Sequence, residues 1–156
     1  MTKILFICHG NICRSVMAEM VMKELCRQAG VESQFEIASA AVSQEETGND
    51  IYPPAKRKLR EKGIPFERHS ARQITPADYA YYDHILCADR SNLHWLERII
   101  GEDTEQKVSL MKQWLNDQTV NEQNIDISDP WYTDDFEAAY QDIHLSCKAI
   151  LAQLVV

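Results

Sequence analysis

Long hydrophobic runs are missing from this chain. The longest, Ile4-Leu5-Phe6-Ile7-Cys8, has five residues, far short of the ~20 that a membrane-spanning helix requires. It ends in His9-Gly10-Asn11, which does not suit the apolar segment of a secretory signal, so a cytoplasmic location with no membrane partner is expected. Extended basic runs are missing too. Lys56-Arg57-Lys58 breaks at Leu59, and 16 Lys+Arg stand against 24 Asp+Glu for a net charge of −8. That balance argues against a nucleic-acid partner, and an anionic ligand would need a local cradle to hold it against the global field. Glycine and proline are scarce at five each among 156 residues, which excludes a collagen-like or low-complexity chain. No CxxC pair occurs. The five cysteines, 8, 13, 26, 87 and 147, form an odd set in a chain large enough to fold without staples, which suits reduced thiols.

With 45% apolar and 26% charged residues, the composition fits a single globular domain over residues 1–156, expected to be a monomer. Apolar periodicity alternates between short and long segments. Lys3 to Cys8 is continuous, as in a strand buried on both faces of a parallel sheet. Met17, Val21 and Leu25 mark one stripe of a helix over 15–29, closed by Gly30. Further strands are predicted at 35–39, 84–88 and 107–110. Helices are predicted from Pro53-Pro54 to a stop at Gly63, from the capped start Thr75-Pro76-Ala77-Asp78, over 91–100, and from Phe136 to Leu154. Residues 112–128 are polar and irregular and read as a surface loop leading to Asp129. Strands separated by helices imply right-handed crossovers and an α/β fold. The expectation is a three-layer α/β/α arrangement around a four-stranded parallel twisted sheet, flavodoxin-like and doubly wound. Ligands in such folds sit beyond the carboxyl ends of the strands.

That rule directs attention to the turn Cys8-His9-Gly10-Asn11-Ile12-Cys13-Arg14-Ser15, which joins the first strand to the first helix. Such a turn aims backbone N–H groups and a positive helix end at one point, an anion site. Gly10 and Asn11 tolerate left-handed dihedrals that turn amides inward. Cys8 stands on the strand side and Arg14, able to clamp two phosphoryl oxygens, on the helix side. No His/Asp/Glu cluster has metal-ligand spacing, and neither a metal nor a cofactor is expected.

The chain resembles the low-molecular-weight protein tyrosine phosphatases over nearly its whole length. The likeness rests on the C-x5-R-S turn with Asn11, on Ala71-Arg72-Gln73-Ile74-Thr75, on Ile85-Leu86-Cys87-Ala88-Asp89 followed by Ser91-Asn92-Leu93, and on Asp129-Pro130-Trp131-Tyr132. The resemblance implies a phosphotyrosine phosphatase acting on phosphotyrosine-containing proteins and small aryl phosphates. Cys8 would be the nucleophile that forms a phosphocysteine. Arg14 and the amides of His9, Gly10, Asn11, Ile12, Cys13 and Arg14 would hold the phosphate, and Asp129 would serve as general acid and then base. Ser15, Asn11 and His69 would support the turn, and Trp131 and Tyr132 would wall the phenyl slot.

Where many relatives have an aromatic wall residue, this chain reads Ser43-Gln44-Glu45-Glu46, so acidic phosphopeptides are expected to be disfavoured. Cys13 is either a partner for a reversible disulfide with Cys8 or a packing residue. Asp89 and Arg72 either support the turn or pair at the surface. Cys26 and Cys147 read as core, and the Met17, Met20 and Met22 group as helix packing with solvent-edge overflow, not a cofactor site. Two other functions use such a turn. An arsenate reductase needs two relay thiols, and although Cys87 suits one, Ser91–Gly101 holds no second. A non-catalytic phosphate-binding module would have no use for Asp129.

Overall fold

The computed structural model describes all 156 residues. Four strands, β1 (Thr2–Cys8), β2 (Phe35–Ala41), β3 (His84–Cys87) and β4 (Val108–Leu110), form one sheet. Their order is β2-β1-β3-β4, and every pairing is parallel, with Cys8 level with Ala41 and Ile7 level with Cys87. Six helices surround it: α1 (Arg14–Ala29), α2 (Pro53–Glu61), α3 (Pro76–Tyr81), α4 (Arg90–Ile100), α5 (Pro130–Thr133) and α6 (Phe136–Leu154). The predicted α/β class, strand number and layering therefore hold.

Alternation along β1 divides the core. Ile4, Phe6 and Cys8 face α1, α2 and α6, where Met17, Val21, Ile143, Cys147 and Ile150 pack. Leu5 and Ile7 face the other side, with Ile74, Ile85, Cys87 and Leu96. Because both faces of β1 are covered, a continuous apolar run is the only sequence that satisfies it. Cys26 and Cys147 lie in this core, as do Met17, Met20 and Met22, the last three without the solvent-edge overflow the pattern allows.

The helix ends obey local chemistry. Gly30 closes α1 at φ +70° with its N–H on the Arg27 carbonyl, and Asp78 holds the start of α3 by accepting from the Thr75 amide and hydroxyl at 2.8 and 3.1 Å. The stretch 112–128 departs from a plain surface loop. Met111–Trp114 forms a 3-10 turn, Ile127 is buried, and Lys112 Nζ reaches the Asn124 carbonyl at 2.5 Å. The polar composition hides a segment pinned from inside. No helix is long and apolar enough to cross a membrane.

Candidate active site

Strand β1 delivers Cys8 to the carboxyl edge of the sheet, and α1 begins only six residues later at Arg14. The intervening turn is bent by Asn11 at φ 62°. Gly10 was expected to share that left-handed conformation, and it does not. Its lack of a side chain serves another purpose, since a Cβ there would sit 3.2 Å from Glu46 Cγ. The glycine makes room for the neighbouring loop.

Asn11 is fully buried and fixes the turn through both ends of its amide. Its Nδ2 donates to Ser15 Oγ and to Ser39 Oγ, each at 2.9 Å. Its Oδ1 accepts from His69 Nε2 at 3.1 Å and from the Arg72 amide at 3.3 Å, while His69 Nε2 also reaches the Asn11 carbonyl at 2.8 Å. Two acceptors on Nε2 mean that this nitrogen carries the proton. Ser39 passes its own hydrogen to buried Glu19 at 2.6 Å, and Lys23 pairs with Glu19 at 2.6 Å. Ser15 Oγ, which accepts from Asn11, also lies 2.9 Å from Cys8 Sγ, where its hydroxyl can donate to a thiolate. The Asn11 amide adds a second donor to that sulfur at 3.3 Å. Arg72 contributes only its backbone amide; its side chain forms a fork with Asp78 at 2.8 and 3.0 Å.

The amides of His9, Gly10, Ile12, Cys13, Arg14 and Ser15 find no acceptor in the protein. Helix α1 starts at Cys13 without a side-chain cap and with no acidic residue in its first turn. Unsatisfied donors along one turn, continued by an uncapped helix start, make a concentrated positive site for an anion.

Arg14 is 2% exposed. Its Nη1 donates to Asp89 Oδ2 and to the Ile127 carbonyl, both at 2.7 Å, and its Nη2 to Asp129 Oδ2 at 3.3 Å. Those bonds use three of the five guanidinium hydrogens and leave the Nε and second Nη2 hydrogens as a two-pronged fork. Burial works against the Arg14 charge, but Cys8, Asp129 and Asp89 outweigh it and raise its pKa above the ordinary arginine value. Asp89 thus supports the turn, the first of the two roles left open for it. The Ile127 carbonyl is a contributor that the sequence conceals, because a backbone acceptor leaves no mark on side-chain pattern.

Asp129 caps α5 by accepting the Trp131 amide at 3.1 Å, an element that the irregular sequence before it does not announce. Cys8, His9, Gly10, Ile12, Cys13, Arg14, Glu45, Glu46, Asp129, Trp131 and Tyr132 line one cavity of about 100 Å³. The sequence-predicted residues are therefore brought together, with His69 and Ser15 behind them. Trp131 leans on Tyr52, the rings tilted by 50° with 4.8 Å between centroids, and Tyr132 stands 82% exposed.

The remaining thiols are muted. Burial first, then the charges of Cys8 and Asp129, push the Cys13 thiol far above its usual range. Burial and then Asp89 do the same to Cys87, which is inaccessible to solvent. A relay through Cys87 has neither an exposed sulfur nor a second thiol on α4.

A family model described as low molecular weight phosphotyrosine protein phosphatase matches residues 3–155. The Mus musculus low molecular weight phosphotyrosine protein phosphatase is 40% identical over 150 residues, covering 95% of this chain and 92% of the mouse protein. The Bacillus subtilis low molecular weight protein-tyrosine-phosphatase YfkJ is 31% identical, covering 99% and 96%. The crystal structure of YfkJ superposes with a TM-score of 0.92, covering 99% of this chain and 94% of that one.

Proposed function

This chain belongs to the low molecular weight phosphotyrosine protein phosphatase family, and we propose that it hydrolyses phosphotyrosine on proteins, and small aryl phosphates, through a phosphocysteine on Cys8. The observation that carries the reading is one small cavity lined by Cys8, by His9, Gly10, Ile12, Cys13 and Arg14 with their unpartnered amides, and by Asp129, while the Asn11 amide turns to the sulfur instead.

The phosphoryl group enters with its equatorial oxygens on the loop amides and on the free Arg14 hydrogens. Cys8 attacks phosphorus as a thiolate, which the Ser15 hydroxyl and Asn11 amide stabilise. An S–P bond forms as the P–O bond to the phenol breaks, and Asp129 gives its proton to the departing oxygen. The amides and Arg14 are fixed before reaction, so charge that develops on the oxygens meets oriented donors at no reorganisation cost. Asp129, now a carboxylate, takes a proton from water as the water oxygen attacks phosphorus. The S–P bond breaks, inorganic phosphate leaves and the thiolate returns. Trp131 and Tyr132 present aromatic faces beside the phosphorus site, suited to a phenyl ring.

Rapid acid quench during para-nitrophenyl phosphate turnover, followed by intact-mass and peptide analysis, tests the scheme. A single phosphoryl adduct on Cys8 is expected. No adduct, an adduct on another residue, or full turnover by Cys8→Ser overturns it.

A further inference from the structure

A second, wider concavity adjoins the first. It holds about 560 Å³, and its wall includes Ser43, Gln44, Glu45, Gln73, Trp95 and Arg98. Glu45 is the one side chain that lines both spaces. The ridge between them is a packed pair. His9 Nε2 lies 3.2 Å from Glu45 Oε2, and the His9 ring meets the Trp95 ring edge-on at 5.7 Å. Glu45 is 69% exposed along its side chain, and its other oxygen accepts no bond from the protein. Gln73 Nε2 is committed to the Val42 carbonyl at 3.1 Å, which leaves its Oε1 without a donor. Trp95 is 43% exposed. The groove therefore offers two unused acceptors, one of them charged, beside a partly exposed indole.

That combination is chemistry for a cation. A lysine or arginine head can donate to the two acceptors while its methylene stem lies along the indole. Its charge complements Glu45 and Glu46, both at the mouth of the slot. The single cation of the groove wall, Arg98, is placed over the Trp95 ring, its guanidinium carbon 5.7 Å from the centroid. A chain rising ~3.3–3.6 Å per residue crosses the His9–Glu45 ridge within a residue or two of a seated phosphotyrosine.

Resting on the phosphatase reading, we propose that this groove is a substrate subsite for a lysine or arginine close to phosphotyrosine, with Glu45 as its specificity-determining residue. The selected partner is a basic phosphoprotein segment. The discrimination is that of an exposed charge pair, about fivefold in kcat/KM at low salt and less as salt rises.

The test compares phosphotyrosine peptides that differ only in carrying Lys, Ala or Asp within two residues on either side of the phosphotyrosine, with para-nitrophenyl phosphate measured alongside. The expected order is Lys, then Ala, then Asp. The Lys-to-Asp ratio should fall toward one in Glu45→Gln, invert in Glu45→Lys and shrink in Trp95→Ala. Glu102→Gln, which changes net charge equally at an exposed position beyond α4, should preserve it. Equal rates for all peptides, a preference for Asp, or a ratio that survives Glu45→Gln overturns the subsite while aryl phosphate turnover continues. Failure to turn over para-nitrophenyl phosphate overturns instead the reading on which it rests.

Discussion

The floor and the rim of the Cys8 cavity are built on opposite plans. On the floor, Asn11, Arg14 and Ser15 are buried, and their side-chain polar atoms are matched to named partners or aimed into the cavity. On the rim, Trp131, Tyr132 and Glu45 are exposed; Trp131 leans on the Tyr52 ring and Glu45 meets His9 through one hydrogen bond. A group that must meet developing charge in one geometry needs a rigid support. A group that meets variable substrates gains from a light one. The contrast implies that floor changes alter chemistry and folding together, whereas rim changes alter rate or selectivity with the fold intact.

The strongest way to break this contrast is at the sulfur. Cys8→Ser should lower aryl phosphate turnover by about 10⁴-fold or more, with inorganic phosphate still binding because the amides and Arg14 remain. Retained phosphate binding, measured by calorimetry, checks that the floor survives. Asp129→Asn keeps an oxygen for the Trp131 amide and should cut turnover by ~10²–10⁴ at unchanged thermal stability. A matching loss of stability would show that the Asp129 contact with Arg14 carries structure as well as chemistry.

Asn11→Ala probes the floor as scaffold. It strands His69, Arg72, Ser15 and Ser39 partners and places alanine at a left-handed φ, which together should cost about 2–4 kcal/mol in urea unfolding. Trp131→Ala, by comparison, should stay within ~0.5 kcal/mol.

The smallest effect concerns pH, away from both regions. Burial lowers the His84 pKa against the opposing pull of Asp83. Burial, then Lys148 and Lys62, lower that of His144. Above the ordinary value of 6.5 both histidines are neutral whether folded or not. As pH falls through 6.5 the unfolded chain takes up protons that the folded side chains refuse, so the urea midpoint should decline. The double variant His84→Gln/His144→Gln should flatten that slope.

How much of this was legible in the sequence follows the same division. The strand Ile4–Cys8, the turn to Arg14 and the amphipathic stripe of α1 are written in side chains, and they appear where periodicity puts them. The family resemblance names His69 and Asn11 as supports of the turn, and the two are hydrogen-bonded to each other. What escaped is carried by the backbone: the Ile127 carbonyl on Arg14 and the Arg72 amide on Asn11. Gly10 shows a subtler miss. Its freedom from a Cβ is used for loop packing against Glu46, a reason that no dihedral rule anticipates.

The uncapped start of α1 has a thermodynamic consequence. A protein that leaves its own helix unfinished hands the last piece to whatever oxyanion arrives, so occupancy and heat resistance become one quantity. At a hundred times its dissociation constant, an oxyanion that binds only the folded chain adds about 2.7 kcal/mol. Phosphate released by each turnover is thus also, briefly, a brace.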